Sequence, residues 1–235
     1  PPALGELRRW NRRGRAEEER LDDERDPAVR VVLLTGAGGH FSAGGDVKSM
    51  QKKHTAAEGR ARVELLNRFV LRLFSFSKPT IAMVDGFAVG AGCNIALGCD
   101  MIVASDRAKF GEVFLKIGLV PDGGGTWLLQ RLVGLAKAKE MVLTAEIIDA
   151  AEALRIGLVN RVVPAGELEN ATRALAAKIA AGPPLAAALA TPPRGGAPTG
   201  PSRGNISSFP LRRRALLADW DVEPTGEHFG ALPAG

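Results

Sequence analysis

Two glycine-rich segments are the residues of this chain whose types and spacing could do chemistry. They occupy residues 41–46 (FSAGGD) and 86–92 (GFAVGAG), and each follows an apolar run typical of a strand. Because small residues let the backbone come close to a ligand, the two segments could direct two amide N–H groups at one oxygen. Such a pair would stabilise the charge that develops when the carbonyl of a thioester becomes an enolate. The pattern therefore predicts a main-chain oxyanion hole and an acyl-coenzyme A substrate.

The glycines at residues 35–39 (TGAGG) leave other functions open. A strand that runs into glycines is also typical of a dinucleotide-binding fold. Short-chain dehydrogenases need a tyrosine as acid/base, however, and this chain contains no tyrosine. A P-loop would need a following Gly-Lys-Ser or Gly-Lys-Thr, which the sequence lacks here. A purely structural role, as tight turns between strands and helices, stays open.

Apolar runs predict the elements that must position these segments. Continuous β-branched and aliphatic stretches predict buried strands over 29–34, 80–84 and 101–104. Between the first two, apolar residues at helical spacing predict a helix over 58–76. Strand-helix-strand units favour a parallel sheet and an α/β fold. Further helices are expected over 93–99, 126–133, 136–143, 149–155 and 166–181, and a strand over 158–163.

The composition is that of an ordinary globular chain. It has 235 residues, 46% hydrophobic and 24% charged, with a formal net charge of +5. The excess arginines cluster near the two ends, and no aromatic residues alternate with them, so we expect no nucleic-acid partner. Cys93 and Cys99 match neither a metal-ligand nor a redox spacing, and both should be buried. With no secretory leader and no membrane-spanning run in sight, we expect a cytoplasmic protein without a membrane partner.

Three segments in order resemble a known family. FSAGGD at 41–46, KPTIAMVDGFAVGAGCNIALGCD at 78–100 and AKFGEVFLKIGLVPDGGGT at 108–126 are similar to the enoyl-CoA hydratase/isomerase family, also called the crotonase family. The resemblance covers about residues 27–190. It implies a crotonase-like α/β fold, with repeated ββα-type units around a spiral core and a helical C-terminal region. It also implies an acyl-CoA substrate, no metal, no cofactor beyond the coenzyme A of the substrate, and a homotrimer or hexamer.

The resemblance also implies roles for particular residues. The two oxyanion amides would belong to Gly45 and Ala91. The implied acyl pocket is lined by Val89, Gly90 and Phe114. The implied coenzyme A contacts are Ala43, Asp46 and Lys48, and for Lys48 a solvated surface position is an equal alternative.

The acid/base residues of this sequence differ from those of the family's hydratases. Those enzymes use two glutamates, and the matching positions here hold Asn94 and Phe114. An amide cannot accept a proton at neutral pH, so Asn94 would only position a group. Glu112 would lie on a strand, facing the same way as Phe114, and a change of register would be needed to bring it to the family's position. Phe114 would exclude water and raise the pKa of a neighbouring carboxyl.

Asp122 is the remaining candidate for proton transfer. It lies in the Pro-Asp-Gly-Gly-Gly turn at 121–125, where isomerases of the family carry an acid/base aspartate. One carboxylate can move a double bond by taking a proton from one carbon and returning it to another, so we expect an enoyl-CoA isomerase. The alternatives are hydration of a 2-enoyl-CoA and non-catalytic binding of an acyl-CoA. For Asp122 itself, the alternative is a simple N-cap of the following helix.

The two ends of the chain depart from the family pattern. Residues 1–26 are highly charged and predict a divergent N-terminal helix with no strand before it. Residues 182–235 are rich in proline and glycine at first, which predicts a linker followed by a divergent helical arm. The crotonase-like core would then span 27–181.

Overall fold

The computed structural model describes residues 8–9, 26, 28–45, 55–74 and 76–190 of the chain. The predictions for Asp46, Lys48, the arm beyond residue 190 and most of residues 1–26 therefore lie outside the described residues. In chain order the strands are β1 (Arg8–Arg9), β2 (Val32–Thr35), β3 (Thr80–Val84), β4 (Phe87–Val89), β5 (Met101–Ser105), β6 (Lys109–Gly111), β7 (Ile148–Asp149) and β8 (Arg161–Val163). The helices are α1 (Ala56–Phe74), α2 (Ala91–Leu97), α3 (Gly125–Val133), α4 (Leu135–Thr144), α5 (Ala150–Arg155), α6 (Leu168–Ala180) and α7 (Pro184–Ala190).

Two small sheets organise these elements. The larger is parallel throughout and has the strand order β1-β2-β3-β5-β8. In the smaller sheet β6 is central, with β4 parallel and β7 antiparallel to it. The succession β3, β4, α2 is a strand-strand-helix unit, as the crotonase-like prediction requires. The α/β fold class is confirmed.

The larger sheet is buried on both faces because its central strands are apolar at nearly every position. In β3, Ala82 and Val84 pack into one apolar cluster, whereas Ile81 and Met83 pack into the cluster on the opposite face. Helix α6 covers the second face. On the first face α1 contributes the buried Val70, and α2 and α3 pack beside it. This two-sided burial is the reason that a continuous apolar run predicts the strand correctly.

The loops after β2 and β3 carry the two glycine-rich segments. Both strands are parallel, so their carboxyl ends meet at the same edge of the sheet. Loops at that edge are the usual place for a binding site in a parallel sheet. The fold therefore brings residues 41–45 and 86–92 to one place.

The structure corrects two predictions about the ends of the chain. Arg8 and Arg9 form a short strand, not a helix, and pair with Leu34 and Thr35 of β2. At the outer edge of a sheet the backbone of this short segment gains hydrogen-bonding partners. Residues 184–190 form helix α7 inside the predicted linker, since Pro184 suits a first helical position and the following residues are mostly alanine. Among the described helices, none has the length and hydrophobicity to cross a membrane.

Candidate active site

The two glycine-rich segments lie in direct contact. Ser42 donates its amide to the carbonyl of Phe87 at 2.9 Å, and its own carbonyl accepts from the amide of Val89 at 3.1 Å. Beyond this bridge the contact depends on Gly92. A Cβ atom there would lie 2.4 Å from the Ser42 carbonyl oxygen and 2.6 Å from its Cβ, so only glycine fits without displacement. The missing side chain is what allows the loop and helix α2 to approach each other.

Gly44 and Gly90 set the course of the backbone at this contact. Gly44 has a φ of +80°, and a Cβ on it would lie 2.8 Å from the Val89 carbonyl oxygen and 3.4 Å from the Ala91 nitrogen. Gly90 has a φ of +57° and precedes the first residue of α2. Both values belong to the region that favours glycine. The glycines thus bring the residue before Gly45 against the amide of Ala91.

The amides of Gly45 and Ala91 donate a hydrogen bond to none of the residues that the structure describes. Ala91 is the first residue of its helix, where an N–H group has no intrahelical acceptor. Two donors on adjoining segments, without an acceptor among the described residues, are what an oxyanion hole needs. Their convergence on one oxygen stays a prediction.

Asp122 lies in a turn whose own geometry excludes the simple capping role. The N-cap of α3 is Gly124, with a φ of +82°, and no side chain caps the helix. The Asp122 carbonyl accepts from the Gly125 amide at 2.9 Å, so its backbone closes the turn. Its Oδ1 atom is buried and lacks a hydrogen bond of normal geometry among the described residues. Burial raises the pKa of Asp122 to about 6.

Asn94 connects helix α2 to the Asp122 turn. Its side chain is fully buried, and its Nδ2 donates to the Asp122 carbonyl at 2.9 Å. A Cβ on Gly125 would lie 2.2 Å from Asn94 Oδ1, so glycine at that position leaves room for the amide. The expected positioning role is compatible with this geometry, because the amide fixes the segment that carries Asp122.

Glu112 is the site residue whose position the sequence pattern predicts wrongly. Strand β6 ends at Gly111, so Glu112 is not on a strand; it begins a short 3₁₀ helix (Val113–Ile117), and the strand alternation expected for it does not apply. Its side chain is 0% exposed, and neither carboxyl oxygen has a hydrogen bond of normal geometry within the described part of the chain. A lone acidic residue in the mainly apolar stretch 110–115 is the signal in the sequence that could have found it.

The surroundings of Glu112 favour its neutral form. Burial is the main reason that its pKa rises to about 7, and the nearby charge of Asp122 raises it further. The Cys93 thiol and the Asn94 side chain act in the opposite direction, lowering the pKa of Glu112. The thiol pKa of Cys93 is itself raised, by burial first and then by Glu112. Two carboxyl groups, Glu112 and Asp122, therefore lie close enough to influence each other.

The other predicted positions are distributed as follows. Phe114 is buried, and its ring lies 3.8 Å from where a Cβ on Gly90 would be, so residues 89, 90 and 114 adjoin one another. Ala43 is exposed beside Gly44. Cys93 and Cys99 are free and buried, as expected. No group of three or more His, Cys, Asp and Glu side chains is placed to hold a metal ion in the part of the chain described.

Burial of Glu112 should make the stability of the fold depend on pH. The pKa of Glu112 is about 7 in the folded protein against 4.5 for an ordinary glutamate, so the folded state holds the proton more tightly. Its contribution is fully present below pH 4.5 and is lost as the pH rises to about 7. We expect Glu112→Gln to be more stable than the wild type above pH 7, by about 3 kcal/mol. Urea unfolding between pH 4 and pH 8 measures this difference.

An exposed glutamate provides the control for this measurement. Glu146→Gln removes a carboxyl from the surface, and its stability should follow the wild-type curve across the same range. If Glu112→Gln also follows that curve, the pKa of Glu112 is the same in the folded and unfolded states, and the prediction is wrong.

Comparison with known proteins agrees with this fold. The enoyl-CoA hydratase/isomerase family model matches residues 20–192. The short-chain-enoyl-CoA hydratase of Clostridium acetobutylicum is 47% identical over 167 residues, which are 71% of this chain and 64% of that relative. This chain therefore spans less than two thirds of the relative's length.

Solved structures give the same result. The enoyl-CoA hydratase from Bacillus anthracis superposes with a TM-score of 0.74 at 30% identity, covering 86% of this chain and 78% of that one. A putative enoyl-CoA hydratase from Thermobifida fusca, solved in complex with CoA, has a TM-score of 0.66 at 36% identity, with coverage of 82% and 79%. Together with the family match over most of the chain, these likenesses show that the protein belongs to the enoyl-CoA hydratase/isomerase family.

Proposed function

We propose that this protein shifts the double bond of an enoyl-CoA, with Asp122 as the acid/base. The observation that carries the proposal is the half-buried Asp122, whose buried Oδ1 lacks a hydrogen bond of normal geometry among the described residues, on the turn that Asn94 joins to the glycine-rich helix start. A pKa of about 6 suits a group that must both accept and return a proton near neutral pH. The positions of the hydratase glutamates hold Asn94 and Phe114, neither of which can do so.

In the proposed mechanism the thioester carbonyl accepts hydrogen bonds from the amides of Gly45 and Ala91. Asp122 removes a proton from one carbon of the enoyl chain, and the electron pair moves onto the carbonyl oxygen to give a dienolate. The same proton then returns to a different carbon as the double bond settles in its new place. Each oxyanion donor would contribute about 10²- to 10³-fold to kcat. No atom is gained or lost, so one carboxyl is sufficient.

Coenzyme A is the proposed carrier of the acyl group. The Thermobifida fusca neighbour was solved with CoA bound, which supports a CoA thioester here. We place the coenzyme A along Ala43, Asp46 and Lys48, of which Ala43 is exposed beside the glycines. A shift of the double bond leaves the overall oxidation state of the substrate unchanged, so we propose no further cofactor. Assembly into a trimer or hexamer and a cytoplasmic location stay predictions.

Hydration of a 2-enoyl-CoA is the second candidate. The names of the relatives favour it, since the Clostridium acetobutylicum protein is a short-chain-enoyl-CoA hydratase. Glu112 also supplies a second buried carboxyl beside Asp122, and hydration ordinarily uses two. Hydration therefore differs from isomerisation in requiring that Glu112 reach the substrate.

Two substrates separate these candidates. In the first assay the protein is incubated with crotonyl-CoA, and hydration is measured as the loss of the conjugated thioester absorbance. In the second it is incubated with a 3-enoyl-CoA, and isomerisation is measured as the appearance of the same absorbance. We expect isomerisation to be faster than hydration by about 10²-fold or more, the usual contribution of a second acid/base group. Faster hydration would replace the isomerase proposal with the hydratase one. Binding of both thioesters without turnover would indicate a non-catalytic acyl-CoA protein.

A further inference from the structure

Three neighbouring side chains have buried hydrogen-bonding atoms without a hydrogen bond of normal geometry to any described residue. They are Asn94 through Oδ1, Glu112 through both carboxyl oxygens and Asp122 through Oδ1. An unsatisfied buried polar atom is costly, and such atoms are rare in folded proteins. Their occurrence together therefore indicates a hydrogen bond that forms when one of the groups carries a proton.

Asn94 interacts with both carboxyl groups. Its side chain lowers the pKa of Glu112 and the pKa of Asp122, in each case against the larger effect of burial. One N–H of Nδ2 donates to the Asp122 carbonyl, whereas the amide oxygen Oδ1 can only accept and accepts from none of the described residues. It needs a donor, and a carboxylate cannot be one.

Glu112 can supply that donor only in its protonated form. The titratable groups that influence it among the described residues are Cys93 and Asp122. A thiol is a weak donor, and an ionised Asp122 has no proton to give. A charged Glu112 could accept from the Cys93 thiol and from Asn94 Nδ2, which is how both groups lower its pKa, but it would leave Asn94 Oδ1 without a donor. A neutral Glu112 with its O–H on Asn94 satisfies both residues at once.

We propose that Glu112 is a positioning residue, held protonated, which donates its O–H to Asn94 Oδ1 and thereby keeps Asn94 Nδ2 on the Asp122 carbonyl. This inference rests on the proposed acid/base role of Asp122. The pKa of Glu112, raised by burial to about 7, agrees with a protonated carboxyl at neutral pH and below. As the pH rises through that value, Glu112 ionises, the hydrogen bond is lost and the Asp122 turn loses its support. Activity should therefore fall on the alkaline side.

Two substitutions of Glu112 separate hydrogen-bond donation from charge. Glu112→Ala removes the donor, and we expect kcat to fall by about 10- to 100-fold, with KM nearly unchanged, because the acid/base is misplaced while the binding surface remains. Glu112→Gln keeps an N–H donor that cannot ionise. It should restore most of the kcat lost in Glu112→Ala and abolish the alkaline decline. A glutamine variant that is folded yet as impaired as the alanine variant would overturn the proposal, because the carboxyl itself would then be needed.

Infrared spectroscopy tests the protonation without any turnover. At pH 6, below the Glu112 pKa of about 7, Asp122→Asn should still show a carboxylic acid C=O band, because only Glu112 can supply it there, and the band of the wild type should weaken in Glu112→Gln, which keeps the Asp122 part. Absence of that band from Asp122→Asn would overturn the proposal even if the wild type isomerises its substrate. Conversely, a protein that turns over no enoyl-CoA but shows the band would refute the proposed function and support the protonated Glu112. The spectra also remain informative if Glu112→Ala does not fold.

Discussion

Asp122→Asn is expected to lower kcat for isomerisation of a 3-enoyl-CoA by about 10²- to 10⁴-fold, the contribution of a general acid/base. The amide has nearly the same shape as the carboxylate but cannot accept the proton. The hydrogen bonds of normal geometry that hold the turn, from Asn94 Nδ2 and the Gly125 amide, go to the Asp122 backbone carbonyl, which the substitution leaves unchanged. The substitution should therefore leave the turn in place and change the affinity for the substrate little. Steady-state kinetics together with calorimetric titration of the thioester separate the two effects.

A carboxyl far from the site controls for the loss of one charge. Glu169 on α6 pairs with Arg173 at the surface, where an ion pair contributes little to stability. Glu169→Gln should keep the wild-type kcat. If Asp122→Asn also keeps it, Asp122 has no part in the proton transfer, whatever the rest of the site does.

The pH profile of the wild type gives a second test of this assignment. Asp122 must be ionised to act as a base, and burial raises its pKa to about 6, so kcat/KM should rise as the pH increases through that value. The Glu112 proposal adds a decline at higher pH. In Asp122→Asn the acidic rise should disappear, whereas in Glu112→Gln only the alkaline decline should disappear. The two carboxyl groups can thus be assigned separately, Asp122 to the acidic rise and Glu112 to the alkaline decline of the pH profile.

The main strands can be predicted from the sequence because the larger sheet is buried on both faces. The apolar run predicts strand β3 at its true limits because each residue from Thr80 to Val84 is apolar or bonded within the core. The strands that the pattern misses, β1, β4, β6 and β7, have two or three residues each, too few to show any periodicity. Their pairing is determined by distant parts of the chain, which a local pattern does not contain.

The sequence predicts the part of the site that is formed by the main chain, but not the part that is formed by side chains. Glycines at 44, 90 and 92 indicate close backbone approach by their residue type alone, and the fold places the two segments together. The importance of Glu112 cannot be predicted in the same way. Its burial depends on the chain leaving β6 after Gly111 and passing beside Cys93 and Asn94, which is a tertiary feature.

Gly92→Ala should separate the two glycine-rich segments and so remove the oxyanion hole. The added methyl group would lie 2.4 Å from the Ser42 carbonyl oxygen, which is backbone and already accepts from Val89. Neither the added Cβ nor the Ser42 carbonyl oxygen can move without its backbone, so we expect α2 and the loop at 41–45 to shift apart. Like other overpacking substitutions, this should lower the free energy of unfolding by about 1–3 kcal/mol. The amides of Gly45 and Ala91 would then no longer share one target. The expected loss in kcat is about 10²- to 10³-fold, as for removal of one oxyanion donor.

Gly59→Ala is the matched control for that experiment. Gly59 lies inside α1, and a Cβ on it would meet no atom of the described residues within 4 Å beyond the backbone of its own helix. The same chemical change should there raise stability by about 0.5–1 kcal/mol, through helix propensity, and leave kcat unaltered. Urea unfolding and turnover of the enoyl-CoA are measured for both variants. Wild-type turnover in Gly92→Ala would mean that charge on the thioester oxygen is stabilised somewhere other than between these two segments, because their close contact cannot survive the added methyl group.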